Sequence, residues 1–285
     1  MTAGEVQSGS VRSGDVDIFC RRFGKSGPKS GRTPVLIVHG LSYFSYDWIG
    51  PASALASDRE VAAIDMRGFG QSGWSPSRNY KLETLVGDVL NVLDALGWRQ
   101  AVLIGHSFGG RVALATAGWN ADRAAAVVLV DFAPDIAAAG RRATAERIGR
   151  QPDVFVSVGE ALAFHEEDDT PAVRARYEAF LKPVEGGFQL RRDLHFRDNF
   201  RKAIDTGQSA PVPDFFWPML GALSAPALVI RGSESNMFDA ATLTKVKDVA
   251  PRAQAIELQG SHDLAGDNPD GLVKSVSQFL AGAGL

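Results

Sequence analysis

The chain has 285 residues and a formal charge of −3, with a pI near 6.0. Hydrophobic residues make up 45% and charged residues 22%, proportions that suit a globular protein with a sizeable core. Scattered basic residues exclude the stripe that nucleic-acid binding requires. No apolar run approaches the roughly 20 residues that span a bilayer, and the single Cys20 excludes both an internal disulfide and a cysteine-based zinc site.

Residues 1–15 are small, polar and rich in Gly and Ser. They lack the apolar stretch of a secretory signal, so a flexible N-terminal segment over 1–14 and a cytoplasmic location are expected. Beyond it, short apolar runs alternate with longer amphipathic ones, the pattern of βαβ units around a parallel sheet. Strands are predicted at Val16–Phe23, Pro34–His39, Val61–Asp65, Ala101–Gly105, Ala125–Asp131, Ala227–Arg231 and Ala255–Leu258. Several are continuously apolar, as strands buried on both faces are. Helices are predicted at Leu82–Leu96, where Leu82, Leu85, Val89, Val92, Leu93 and Leu96 share one face, and at Gly110–Trp119, Ala240–Val249 and Leu272–Leu280.

From Pro134 to Pro218 the rhythm breaks. This stretch is rich in Ala, Arg and Glu, has no strand-like run, and ends on Phe215, Phe216 and Trp217. The expected organisation is a core of residues 15–133 and 219–285 with a helical cap inserted at 134–218.

The segment Gly105-His106-Ser107-Phe108-Gly109, between an apolar strand and a helix, has the chemistry of a nucleophile elbow. Such a turn exposes the serine hydroxyl at the end of a strand. Side chains two residues before and after the serine would collide, so Gly105 and Gly109 fit. The N–H groups of the following helix face charge that develops on the substrate.

Four further segments appear in an order that resembles the α/β-hydrolase family. These are His39-Gly40-Leu41, the Asp65-Met66-Arg67-Gly68-Phe69-Gly70-Gln71-Ser72 loop, Arg231-Gly232-Ser233-Glu234-Ser235, and Gly260-Ser261-His262. The resemblance covers nearly the whole chain after residue 15. It implies an α/β fold, a mostly parallel sheet flanked by helices, with an inserted helical cap.

By that resemblance the general base is His262, which follows the last strand; imidazole titrates near operating pH and can shuttle the serine proton. His39, His106, His165 and His195 read as structural, surface or substrate-lining residues. The third member departs from the common pattern. Where many relatives carry an acid after the post-cap strand, this chain has Ser235 and Asn236, neither able to supply charge. Asp131, at the end of Val127–Val130, is the better candidate, since functional residues in such sheets gather beyond the carboxyl ends of strands. Glu234, Asp239 and Asp135 stay open as alternatives.

The resemblance also places two oxyanion donors, the backbone N–H groups of Leu41 and Phe108, with Ser42 as a further contributor. Tyr43, Phe44, Tyr46 and Trp48 either line a pocket or pack core. In the segment Gly187–Arg197, Arg191, Arg192 and Arg197 either form a solvated helical face with intrahelical pairs or include one that clamps a substrate carboxylate.

The expected function is a serine hydrolase that cleaves a carboxylic ester, lactone or amide of a small molecule through an acyl-serine. It needs no cofactor, metal, nucleic acid or membrane. Ser107 argues against the dehalogenases and epoxide hydrolases of this fold, which use an aspartate nucleophile. C–C bond hydrolysis and ligand binding with little turnover remain alternatives.

Overall fold

A computed structural model describes residues 6–24, 31–207 and 213–285. Its main sheet has eight strands: β1 (Val6–Ser13), β2 (Val16–Phe23), β3 (Val35–Val38), β4 (Val61–Ile64), β5 (Ala101–His106), β6 (Ala124–Val130), β9 (Ala227–Gly232) and β10 (Gln254–Leu258). The remaining strands, β7 (Leu181–Val184) and β8 (Gly187–Leu190), form a separate hairpin. The strand order is β1-β2-β4-β3-β5-β6-β9-β10. From β4 to β10 all neighbours are parallel, while β2 runs antiparallel to both β1 and β4.

Residues of the central strands alternate between two cores, which explains their unbroken apolar runs. Leu36, Leu103, Val127 and Val229 face one core, with α2 (Leu82–Ala95) and α3 (Phe108–Trp119) packed on that side; Val35, Val102, Val128 and Leu228 face the other. The second face is covered by α1 (Ile49–Leu55) and α11 (Pro269–Gly282), which pack together. The other helices are α4 (Ala138–Gly149), α5 (Val158–Phe164), α6 (Pro171–Phe180), α7 (Leu194–Thr206), α8 (Phe216–Ala222), α9 (Ala240–Val249) and α10 (Leu264–Asp267). None of the described helices is long and apolar enough to cross a membrane.

Three expectations change. Residues 6–13 of the segment expected to be flexible form β1, in register with β2 from Val6↔Phe23 to Ser13↔Val16. Its side chains are mostly exposed, so the backbone ladder orders it without an apolar face. Residues 1–5 lie outside the described part.

The inserted stretch between β6 and β9 also contains strands. The β7–β8 hairpin turns on Gly186 at φ 83°, and its strands are four residues each, with Pro183 in one. Such strands leave no period to read. Finally, residue 218 falls inside α8, whose Phe216 and Leu220 are buried in the main core against α3. That helix goes with the sheet. The inserted elements keep a small core, formed by Phe155, Leu162, Tyr177, Phe180 and Leu190, which Phe44 from the segment after β3 joins.

Candidate active site

Ser107 sits between β5 and α3 at φ 51° and ψ −116°, a left-handed conformation that costs a non-glycine residue about 1–3 kcal/mol. The glycines around it show what the turn demands. A Cβ on Gly105 would strike the Gly109 carbonyl, and one on Gly109 would strike the carbonyls of Val38 and His39. A Cβ on Gly110 would lie 2.6 Å from Cβ of Phe132, so this third glycine lets α3 approach the chain beyond β6.

His262, between β10 and α10, reaches the serine. Its Nε2 is 2.9 Å from Ser107 Oγ, and its Nδ1 is 2.6 Å from Asp131 Oδ2. With Nδ1–H donating to the carboxylate, Nε2 is left to accept the serine proton. Asp131, just past β6, is buried and itself has a positive φ of 44°. Its Oδ1 accepts from the Gly232 N–H at 2.7 Å, and its Oδ2 also accepts from Ser235 Oγ at 2.5 Å. Three donors thus hold the carboxylate in place.

The other acids are engaged elsewhere. Glu234 is exposed and accepts from Gln259, Asp239 caps α9 through the Thr242 N–H, and Asp135 pairs with Lys245 and Trp217.

Ser235 was read from sequence only as the absence of an acid. In the fold its hydroxyl accepts from the N–H groups of Met237 and Phe238, at 3.1 and 3.2 Å. Both acceptor contacts aim its proton at Asp131, so it positions the carboxylate from the loop after β9. The only sequence signal was a serine at that place combined with an aspartate after β6.

His106 has a structural role beside the base. Its Nε2–H donates to the His262 carbonyl at 2.9 Å, and its ring lies 4.8 Å from the His262 ring. Burial holds its pKa well below the ordinary histidine value, so it supports the His262 loop as a neutral imidazole. A Cβ on Gly40 would come within 2.8 Å of its Nδ1, which accounts for the glycine after His39. His39 itself is structural: Nδ1–H donates to the Gly40 carbonyl, and Nε2 accepts from the Met66 N–H.

The Asp65–Ser72 loop steadies the same region. Asp65 accepts from the N–H groups of Ser45 and Gln71 at 2.7 and 2.8 Å, which ties the stretch after Leu41 to the sheet. Gly70 is needed because a Cβ there would run into the Asp65 carboxylate.

Leu41 and Phe108 line a cavity of about 320 Å³ together with Ser107, Asp131 and His262. As the first residue of α3, Phe108 has an N–H with no acceptor inside the helix. Of the aromatic group that follows Leu41, Phe44 and Trp48 are core. Tyr43 lines this cavity, and both Tyr43 and Tyr46 line a neighbouring one. His165 lines the neighbouring cavity, whereas His195 packs on Tyr80. The expected helical face over Gly187–Arg197 is absent: β8 ends at Leu190, α7 begins at Leu194, and Arg192 lies buried between them.

The profile of the α/β-hydrolase fold matches residues 33–155. That segment holds His39–Leu41, the turn at Ser107 and Asp131. The chain has the α/β-hydrolase fold. A 2-(acetamidomethylene)succinate hydrolase of Mesorhizobium japonicum is 25% identical over 252 residues, covering 86% of this chain and 87% of the relative. Esterase YbfF of Escherichia coli K12 is also 25% identical, over 250 residues, covering 87% of this chain and 93% of that protein. A solved E-2-(acetamidomethylene)succinate hydrolase superposes with a TM-score of 0.81 at 24% identity, over 97% of this chain and all of that one. These relatives are hydrolases, and hydrolysis is the class of activity to which the comparisons point.

Proposed function

We propose that this α/β-hydrolase cleaves a carboxylic ester, lactone or amide of a small molecule through an acyl-serine intermediate. The observation that carries the reading is the unbroken relay from Ser107 Oγ to His262 Nε2 and from His262 Nδ1 to Asp131, at 2.9 and 2.6 Å.

In this mechanism His262 takes the Ser107 proton as Oγ attacks the substrate carbonyl. The tetrahedral oxyanion is held by the N–H groups of Leu41 and Phe108, at the positive end of α3. Collapse of that intermediate breaks the bond to the leaving group, which receives the proton from the His262 imidazolium. Asp131 keeps the imidazole in the right tautomer and stabilises its charge throughout. Water then attacks the acyl carbonyl as it gives a proton to His262, and His262 returns that proton to Ser107 Oγ as the bond to the acid breaks.

The elements inserted between β6 and α8 act as the cap. Apolar Phe132, Ile136, Phe196 and Phe200 surround the reacting centre, so the acyl or leaving group is expected to have an apolar part. Rapid mixing with a p-nitrophenyl ester tests the reading. A burst of p-nitrophenol near one equivalent, absent from Ser107→Ala, is expected; equal turnover by that variant would refute the acyl-serine.

A further inference from the structure

Beside the catalytic cavity lies a second one of about 420 Å³, and the two share Ser42, Tyr43 and Arg147. Three arginines line it: Arg147, Arg176 and Arg192. They are not equivalent. Arg176 is neutralised, its Nε donating to Asp47 Oδ1 at 2.5 Å. Arg192 is only 4% exposed, yet among the described residues it pairs with no carboxylate. Its Nη1 donates to Ser42 Oγ at 3.3 Å and its Nη2 to Gln151 Oε1, both neutral groups.

The acids lining this cavity are otherwise placed. Asp47 is spent on Arg176, Asp263 caps α10 through the Gly266 N–H, and Glu167 is exposed. Arg147, which among the described residues has no ion pair either, brings its Nη2 to 3.5 Å from the same Ser42 Oγ. Two unneutralised guanidinium groups therefore converge on one hydroxyl. Burial pulls the Arg192 pKa down to about 9, and the nearby Arg147 charge adds to the effect. A buried charge without a counter-ion is costly to the fold, and an incoming anion would remove that cost.

We propose that Ser42, Arg147 and Arg192 form a subsite for a carboxylate of the substrate, so that the enzyme selects anionic esters or amides over neutral ones. This rests on the serine-hydrolase reading and names its substrate class. Because Ser42 directly follows the oxyanion donor Leu41, the carboxylate and the scissile carbonyl are joined by a short linker. The planar guanidinium of Arg192 offers paired N–H donors that match the two oxygens of such a group.

The test compares two matched pairs of substrates. Mono-p-nitrophenyl glutarate against p-nitrophenyl valerate carries the charge on the acyl half; 4-acetoxybenzoate against 4-acetoxybenzamide carries it on the leaving half. At least one charged member is expected to exceed its neutral partner in kcat/KM, and Arg192→Met should cut that ratio about 10- to 100-fold. No preference for charge in either pair, or an Arg192→Met variant that slows both members equally, overturns the subsite.

A binding arm separates this failure from failure of the serine chemistry. In Ser107→Ala protein, glutarate is expected to raise Tm, and the added Arg192→Met change to abolish the shift. Without a glutarate shift the subsite is refuted, even if neutral esters are turned over. With the shift present but no ester cleaved, the subsite stands and the acyl-serine reading falls.

Discussion

Arg67 and Arg192 are both almost sealed from water, yet the molecule treats the two charges in opposite ways. Arg67 is embraced by Asp88, with Nε to Oδ2 at 2.6 Å and Nη2 to Oδ1 at 2.7 Å, and by Asp15 at 3.0 Å. Asp88 also accepts from Ser13 of β1, so this fork joins α2, the loop after β4 and the outer strand. It is a finished structural joint. Arg192, in the inserted segment, donates to the neutral Ser42 and Gln151 side chains and, among the described residues, to no carboxylate. The contrast extends to the regions that hold them. Beneath the site, the sheet side, or floor, holds a buried arginine paired by carboxylates; above it, the inserted segment, or roof, holds one bonded to neutral groups. We attribute chemistry to the floor and selection to the roof.

That division predicts that damage to the floor removes activity on every substrate. Asp131→Asn is expected to lower kcat about 10⁴-fold by favouring the wrong imidazole tautomer, whereas Asp135→Asn, Glu234→Gln and Asp239→Asn leave kcat within a few-fold of the parent. Steady-state kinetics on one neutral ester decide it. Full activity in Asp131→Asn, with loss in any of the other three, would move the acid elsewhere.

The two arginines break the comparison through stability. Arg67→Met strands the buried Asp88 and is expected to cost about 3–5 kcal/mol of unfolding free energy in urea. Arg192→Met leaves no carboxylate behind, and should be neutral or slightly stabilising. Equal losses in both variants would make Arg192 a structural joint as well.

A smaller effect sharpens the account of the floor. Ser235→Ala removes one charge-assisted hydrogen bond to Asp131 and is expected to reduce kcat about 10-fold at constant KM. Ser235→Thr, which keeps the hydroxyl, should restore most of it. If KM alone moved, the hydroxyl would act on substrate rather than on the carboxylate.

The smallest effect is a pH dependence at the edge of the roof. Burial, assisted by Asp47, pushes the Asp263 carboxyl up from 3.8 to about 6. An acid raised in the folded state stabilises the fold below its unfolded pKa and loses that advantage as pH rises through the folded one. Asp263→Asn keeps the cap on α10 and removes the titration. It is expected to raise Tm relative to the parent by ~2–4 °C at pH 8, with the gap closing as pH falls from 6 towards 4. A gap independent of pH would show that the carboxyl is not desolvated.

Legibility from sequence follows the same boundary. The strands of the floor could be read because burial on both faces imposes unbroken apolar runs, as in Val127–Val130. The elbow could be read because its packing forbids side chains at Gly105 and Gly109. Asp131 could be favoured because a strand end is a fixed address. By contrast, β1 pairs through its backbone while its side chains face water, so its Gly/Ser-rich sequence resembles a flexible tail. Arg192 could not be singled out from Arg191 and Arg197, for another reason. Its local sequence is basic and polar, and only the approach of Ser42 and Gln151, 150 and 41 residues away in the chain, makes it a buried charge. Ser235 and His106 act through contacts of similar range, over 104 and 156 residues.

The most direct test of the central claim is intact-mass analysis after treatment with a fluorophosphonate. One equivalent of adduct is expected on the native protein, mapping by peptide sequencing to Ser107, with none on Ser107→Ala and slow labelling of His262→Ala. Labelling at another residue, or an unlabelled protein that still hydrolyses esters, would contradict Ser107 as the nucleophile.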